Sequence, residues 1–142
     1  NGSTTSYTYD AKNRLTQDLS SGTNAHTYDY SYDSCDNRLT STETGVVTTF
    51  NYDLAGRLTT SIDNNGVTTY TYSAPGNLTI VEEPSQTTTM VYDMENRLTT
   101  HKLGAATTTS QYDGDGLKRT ENDGSAVTTL IWDGTDYLQG RE

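Results

Sequence analysis

Hydrophobic and polar residues alternate along this chain in short runs, which is the pattern of β-strands. Residues 46–52 are mostly β-branched or aromatic, and successive residues of a strand point to opposite faces. The turn-forming residues 53–56 follow, and a return strand is predicted at residues 57–62. A second turn at residues 63–66 leads to the next strand. The pattern therefore predicts a β-hairpin, and no segment has the pattern of a helix of useful length.

The hairpin recurs along the chain at a nearly constant interval. Each copy begins its turn after an aromatic residue, and these residues are spaced by 23 and then five times by 20 positions. The aromatic residues are Tyr9, Tyr32, Tyr52, Tyr72, Tyr92, Tyr112 and Trp132. A fixed interval of this length is typical of repeat proteins. The sequence therefore predicts an all-β fold of tandem hairpin repeats, seven units over residues 1–142, that extend one antiparallel sheet.

Alternation also assigns the side chains to two faces of the sheet. Phe50 and Tyr52 are expected on one face, and Leu58, Thr60 and Ile62 share one face of the return strand. Burial of an aromatic side chain contributes about 1.5–3 kcal/mol, whereas threonine loses little by facing water. We therefore expect buried side chains at Tyr52, Tyr72, Tyr92, Tyr112 and Trp132, and outward-facing ones at Thr49, Thr69, Thr89 and Thr109.

The turn between the two strands requires a residue with positive φ at Gly56. Glycine or asparagine stands at the corresponding position of the other units, namely Asn13, Asn37, Gly76, Asn96 and Gly116. The unit that begins at Tyr32 is expected to have a turn one residue longer, because Arg38 and Leu39 follow one position later than in the other units. This turn contains the single cysteine, Cys35, which is either an incidental turn residue or a partner in an intermolecular disulfide.

Composition and charge bear on whether the chain folds and on which partners it can bind. Only 30% of the residues are hydrophobic and the net charge is −10, a composition that taken alone is typical of disordered chains. The strict spacing of the aromatic residues argues for a folded repeat instead. The excess of acidic residues argues against nucleic acid as a partner. No apolar run is long enough for a membrane helix, so no membrane insertion is expected.

The repeated motif resembles a known family. Tyr-Asp, two variable residues, Gly or Asn, Arg and Leu at 20-residue intervals is similar to the YD repeat, also called the Rhs repeat. The full motif is present at residues 9–15, 52–58 and 92–98, and the resemblance covers essentially the whole chain. It implies a segment of a large secreted or cell-surface protein, such as toxin-complex proteins, Rhs proteins and teneurins. In these the hairpins form a spiralling sheet that winds into a hollow shell.

The recurring aspartates suggest two roles. As a row of carboxylates, Asp33, Asp53, Asp93, Asp113 and Asp133 are candidate Ca²⁺ ligands, since hard cations prefer carboxylate and carbonyl oxygens. The preferred alternative is turn capping, in which each carboxylate accepts hydrogen bonds from backbone amides and pairs with a nearby arginine. Calcium is the one cofactor that the sequence suggests. The paired carboxylates Asp133 and Asp136 occupy ordinary turn positions, so no catalytic residue is assigned and no enzyme is expected.

Glycans are a further candidate partner. Asn77 and Asn1 each begin an N-glycosylation sequon. The threonines Thr49, Thr69, Thr89 and Thr109 are candidate O-glycosylation or sugar-contact residues, although strand propensity alone explains most of the threonine content.

Three functions remain open at this stage. The constant 20-residue interval implies one rotation and rise per unit, which favours self-stacking into a filament or surface fibre. The first alternative is the wall of a hollow toxin-type shell that encloses a cargo, and the second is a carbohydrate-binding module. In the first two, the expected partners are further repeats or further copies of the chain.

Overall fold

The structure, a computed structural model, describes residues 2–141 of the 142-residue chain. Asn1, with the first predicted glycosylation sequon, and Glu142 lie outside the described residues. The strands are β1 (Thr5–Tyr9), β2 (Leu15–Ser20), β3 (His26–Tyr32), β4 (Arg38–Glu43), β5 (Val46–Tyr52), β6 (Leu58–Asp63), β7 (Gly66–Tyr72), β8 (Leu78–Glu83), β9 (Gln86–Tyr92), β10 (Leu98–Leu103), β11 (Ala106–Tyr112), β12 (Lys118–Asn122), β13 (Val127–Asp133) and β14 (Asp136–Arg141). In this part of the chain there is no helix that could cross a membrane.

The strands follow one another in the sheet in chain order, from β1 to β14. Consecutive strands pair antiparallel, as in β5 with β6 and β9 with β10. The all-β architecture of tandem hairpins predicted from the sequence is confirmed. The chain divides into two compact units, Asn1–Thr69 and Tyr70–Glu142, and the contacts of each unit are described separately below.

The strand predicted at residues 46–52 is β5, and it has the bounds expected from its alternation, Val46–Tyr52. Its return strand begins one residue later than predicted, at Leu58. Arg57 belongs to the turn, because its carbonyl oxygen accepts the hydrogen bond from the Asp53 N–H that closes the loop. The opposite end of the hairpin is a tight connection in which Asn64 and Asn65 join Asp63 to Gly66.

A β-bulge in the return strand changes the predicted face of its side chains. Tyr52 pairs with Leu58, whereas Asn51 pairs with Thr60, so Thr59 is an extra residue in β6. Cross-strand partners share a face, which puts Leu58 with Tyr52 and Thr60 on the opposite face with Asn51. The prediction that Leu58, Thr60 and Ile62 share one face is therefore wrong for Leu58. Simple alternation cannot reveal the bulge.

The bulge is a regular feature of the repeat. Similar register shifts occur between β1 and β2, β3 and β4, β9 and β10, β11 and β12, and β13 and β14. The bulged residues Thr59 and Thr99 each donate Oγ1 to a carbonyl of the partner strand, and Thr79 makes the equivalent bond. These bonds run from Thr59 to Asn51, from Thr79 to Thr71 and from Thr99 to Val91, at 3.1, 3.0 and 3.1 Å. Some of the threonines therefore stabilise this part of the hairpin through their hydroxyl groups.

No apolar side chain is buried within the described residues, where Ser20 alone is classed as buried. The aromatic residues from Tyr32 to Trp132 are half-buried, and Tyr9 is exposed. Thr49, Thr69 and Thr89 are also half-buried, while Thr109 is exposed. The predicted contrast between buried tyrosines and outward threonines is therefore not observed. Both kinds of residue keep part of their surface exposed to solvent.

Candidate functional site

Six of the hairpins share one turn geometry. In the turn at residues 53–57, the Gly56 N–H donates to the Asp53 carbonyl at 3.0 Å, and the Asp53 N–H donates to the Arg57 carbonyl at 2.9 Å. Gly56 has a φ of 74°, so the turn ends in a left-handed residue. The same two bonds form in the turns that begin at Asp10, Asp33, Ser73, Asp93 and Asp113. We call these six turns the YD turns.

The left-handed position is occupied as predicted in five of the six YD turns. In the turn at residues 33–37 it is Asp36, with a φ of 69°, and not Asn37. Tyr32 pairs with Arg38 as Tyr52 pairs with Leu58, so this turn has the same length as the others. The predicted longer turn is wrong, because the motif residues are displaced by one position on an unchanged backbone. Cys35 is exposed in this turn.

Because the motif of the Tyr32 unit is displaced by one residue, its turn has different residue types at the positions of the regular motif. Asn37 stands where Arg57 does, and Arg38 stands where Leu58 does. In the turn at residues 113–117 the arginine position is Leu117, while Arg119 lies at the bulge. The last hairpin differs again, since Asp133 pairs directly with Asp136 across a connection of two residues. Asp133 is exposed there.

The aspartate carboxylates bind the backbone of their own turns. Asp53 Oδ1 accepts from the N–H groups of Ala55 and Arg57, at 2.9 and 3.0 Å. Asp53 Oδ2 accepts from Arg57 Nε at 2.7 Å. The backbone bond from Arg57, followed by its side-chain bond, lowers the pKa of the Asp53 carboxyl below its ordinary value. The turn at residues 53–57 is therefore held by an ionised carboxylate at neutral pH.

The other YD turns repeat this arrangement with different partners on Oδ2. Arg97 Nε lies 2.7 Å from Asp93, and Arg14 Nε lies 2.7 Å from Asp10. Asp33 instead receives Asn37 Nδ2 at 2.9 Å, and Asp113 lies 2.7 Å from Arg119 Nε. In the turn at residues 73–77, Ser73 Oγ accepts the Asn77 N–H at 3.1 Å in place of a carboxylate.

The candidate calcium ligands are the same carboxylates that bind the backbone of the YD turns. Asp33, Asp53, Asp93 and Asp113 each accept from backbone N–H groups of their own turn, as the turn-capping interpretation requires. Within residues 2–141, no three His, Cys, Asp or Glu side chains converge in a group that could hold a metal ion. The calcium hypothesis for these residues and Asp133 stays a prediction.

The motif arginine also contacts the following repeat, which the sequence did not reveal. The guanidinium carbon of Arg14 lies 4.7 Å from the centre of the Tyr32 ring, and its Nη1 donates to the Asp33 carbonyl at 2.9 Å. Arg97 repeats this with the Tyr112 ring at 4.9 Å and the Asp113 carbonyl at 3.2 Å. Each of these arginines therefore joins its own turn to the next one.

The motif tyrosine forms a second link between repeats. Tyr32 Oη donates to the Leu15 carbonyl at 2.8 Å, and Tyr112 Oη donates to the Leu98 carbonyl at 2.9 Å. Equivalent bonds run from Tyr52 to Arg38 and from Trp132 Nε1 to Lys118, at 2.9 and 2.7 Å. The tyrosine hydroxyl thus has a defined partner, the first residue of the preceding return strand. An aromatic ring without a polar hydrogen, such as that of phenylalanine, would not supply this bond.

The candidate glycosylation threonines lie within strands, whereas Asn77 lies in the YD turn at residues 73–77. Asn77 is half-buried, and its Nδ2, the atom that would carry an N-linked glycan, donates to Asn96 Oδ1 at 2.8 Å. Thr49 and Thr89 lie within β5 and β9, where they pair with Thr40 and Ile80. Thr109 lies in β11 and is exposed, whereas Thr69 in β7 is half-buried. Glycosylation at these residues stays a prediction.

The sequence itself decides the family. Residues 46–126, more than half of the chain, match the family model described as the teneurin YD-shell. The chain belongs to the teneurin YD-shell family. This match confirms the resemblance that the spacing of Tyr, Asp and Arg indicates. A comparison with curated proteins gives no match.

Solved structures share the fold of this YD-shell segment. The crystal structure of TcdB2-TccC3-Cdc42 superposes with a TM-score of 0.74 at 18% identity, over 88% of this chain and 8% of that one. The crystal structure of TcdB2-TccC3-TEV gives 0.74 at 14% identity, over 91% and 9%. The Photorhabdus luminescens Tc holotoxin pore gives 0.52 at 14% identity, over 92% and 11%. At these identities the likeness shows the fold, and this chain spans a small fraction of each matched chain.

Proposed function

We propose that this chain is a non-enzymatic wall segment of a hollow YD-repeat shell. The observation that carries the proposal is the match of residues 46–126 to the teneurin YD-shell. The turn contacts support it, because Arg14 and Arg97 each fix one turn to the next through a ring and a carbonyl. A wall built from thin hairpins needs such links, since no apolar side chain of the described residues is buried.

The proposal extends to the context of the segment. The matched chains are much longer than this one, which spans 8% of one of them, 9% of another and 11% of a third. We infer that the segment belongs to a longer array whose partners are further YD repeats, and that the protein is extracellular or at the cell surface. The carboxylates of the YD turns serve to hold the turns rather than to perform chemistry in this proposal.

A filament is the second candidate. Five successive intervals of 20 residues favour a constant geometry per repeat, which a straight fibre also needs. Negative-stain electron microscopy of the intact protein that contains this segment separates the two candidates. Closed hollow particles are the expected result. Long filaments of uniform width would contradict the shell and support the fibre.

Activity provides an independent check on the non-enzymatic assignment. We expect the Asp53→Asn variant of the intact protein to assemble less stably without losing any catalytic function that the intact protein has. A selective loss of activity in this variant, with unchanged particle shape and stability, would contradict the structural role of the turns.

A further inference from the structure

The YD-turn arginines fill a defined space between consecutive turns. Arg14 contacts four groups there. They are the Asp10 and Asp36 carboxylates, the Tyr32 ring and the Asp33 carbonyl. Arg97 uses the equivalent groups of Asp93, Tyr112 and Asp113. Its second carboxylate is that of Glu95, 3.1 Å from Nη2. A carboxylate, an aromatic face and a carbonyl oxygen together suit a planar guanidinium, which pairs, stacks and donates in one orientation.

The turn at residues 33–37 leaves this space open. Asn37 occupies the arginine position, and its side chain ends at Asp33 Oδ2, 2.9 Å from Nδ2. Arg38, displaced by one position, points its guanidinium to the ring of Phe50, with 4.7 Å from its central carbon to the ring centre. Side chains in the described part of the chain leave a cleft of about 770 Å³ between this turn and the next. We call it the Asn37 cleft.

The Asn37 cleft keeps one carboxylate, the aromatic ring and the carbonyl that hold arginine at other YD turns. It lacks their second carboxylate, because Gly56 stands at the position of Asp36 and Cys35 at that of Glu95. Asp33, Tyr52 and Asp53 line it, in the positions that Asp10, Tyr32 and Asp33 have around Arg14. A carboxylate oxygen can accept two hydrogen bonds, so Asp33 Oδ2 can receive a second donor beside Asn37. The cleft volume falls within the range of about 300–1,000 Å³ that is usual for small-ligand sites.

We propose that the Asn37 cleft binds an arginine side chain presented by another polypeptide. The guanidinium would pair with Asp33, stack on Tyr52 and donate to the Asp53 carbonyl. These are three of the four contacts that Arg14 makes within the chain. The net charge of −10 favours a basic partner segment. Lysine fits less well, because an ammonium group is a point charge without the planar fork of arginine. This inference does not depend on whether the intact protein forms a shell.

A second cleft supplies an internal control. Asn77 also occupies an arginine position, and a cleft of about 360 Å³ lies between its turn and the next. Ser73 stands there in place of the aspartate, so no carboxylate from this turn faces the cleft. Asn77 Nδ2 also bonds Asn96 Oδ1 of the next turn at 2.8 Å. We expect no arginine binding at this cleft, because it lacks that carboxylate, is smaller and is bridged by the bond from Asn77 to Asn96.

The test is a titration of the ¹⁵N-labelled 142-residue chain with N-acetyl-arginine-N-methylamide, followed by amide chemical shifts. We expect saturable shifts at Asp33, Tyr52 and Gly56, with a dissociation constant on the order of 1 mM for this single-side-chain probe. The amides around Asn77 should not shift. The matched lysine derivative should cause at most a small, non-saturating change.

Two variants make the assignment falsifiable. Asn37→Arg supplies the guanidinium from within the chain and should abolish the shifts at the Asn37 cleft. Arg97→Asn opens an equivalent space beside Asp93 and should create a second set of saturable shifts at Tyr112 and Asp113. Absence of saturable binding in the unmodified chain would overturn the proposal. It would also fail if Asn37→Arg bound the probe unchanged, or if the lysine derivative bound equally well.

Discussion

At the scale of single residues, the YD turn depends on an ionised aspartate. The backbone bonds and the arginine lower the pKa of Asp53, and similar bonds lower the pKa of Asp93. A lowered folded-state pKa contributes stability that is fully present above the unfolded pKa of about 3.9, and it is lost as the pH falls through the folded pKa. We expect the melting temperature to be constant near neutral pH and to fall steeply below about pH 4.

Substitution identifies the residue responsible for this pH dependence. Asp53→Asn should lower the melting temperature at pH 7 and should match the unmodified chain below the folded pKa of Asp53. Ser73→Asp is the converse variant, because it creates the pairing that Asp33 makes with Asn37. It should raise the melting temperature at pH 7 and not in acid. Equal effects of either substitution at both pH values would contradict the role of the charge.

The left-handed residue gives a second residue-scale expectation. A Cβ at Gly56 would meet only Asn37 Oδ1, at 3.6 Å, so the space is adequate and the φ of 74° is the constraint. Gly56→Val should destabilise the chain by about 1–2 kcal/mol, because β-branched residues disfavour this conformation. Gly56→Asn should cost much less, since Asn13 and Asn96 adopt φ values of 60° and 61° in equivalent turns.

Urea unfolding of both variants and of Ala55→Val measures these differences. Ala55 is exposed in the same turn and lies outside the left-handed position. Its substitution by valine should be close to neutral. Equal destabilisation by Gly56→Val and Ala55→Val would mean that positive φ is not what the turn requires at Gly56.

At the scale of elements, the tyrosine hydroxyl joins one hairpin to the preceding one. Tyr112→Phe keeps the ring and removes the bond to the Leu98 carbonyl, so it should destabilise the chain by about 0.5–1.5 kcal/mol. Tyr92 is the matched control and lies in the same compact unit, Tyr70–Glu142. Its hydroxyl contacts a weak acceptor in the same strand, Met90 Sδ, at 3.8 Å. Tyr92→Phe should therefore cost less. Equal unfolding free energies for both variants would contradict the link.

Features of the strands and turns were predictable from the sequence where they depend on neighbouring residues, and not where they depend on strand pairing. The bounds of β5 follow from alternation and from the Asp53 turn, and both are readable in a short window. The bulge at Thr59 and the displaced residues Asn37 and Arg38 depend on strand pairing, which the motif does not encode locally. Turn capping by Asp53 was predictable, since its partners lie within four residues. The contact of Arg14 with Tyr32 was not, because it joins residues of different repeats.

At the scale of the whole molecule, the sheet has two edges within the described residues, at β1 and β14. Each edge strand pairs with one neighbour and offers unpaired backbone groups to another strand. A repeat array gains stability from each added neighbour, so edge-to-edge pairing is the favoured outcome for the isolated chain. We expect multi-angle light scattering to show a mass that rises with protein concentration.

A charge on the edge strand tests this mechanism of association. Ser6 is exposed in β1, and Ser6→Lys places a positive charge on the edge, which natural sheets use to block pairing. Asn64→Lys introduces the same charge change at an exposed connection away from the edges, so it controls for the shift in net charge. Association should weaken in Ser6→Lys and persist in Asn64→Lys. If both variants associate equally, the contact lies elsewhere on the sheet, and if the unmodified chain stays monomeric at high concentration, open edges do not drive assembly.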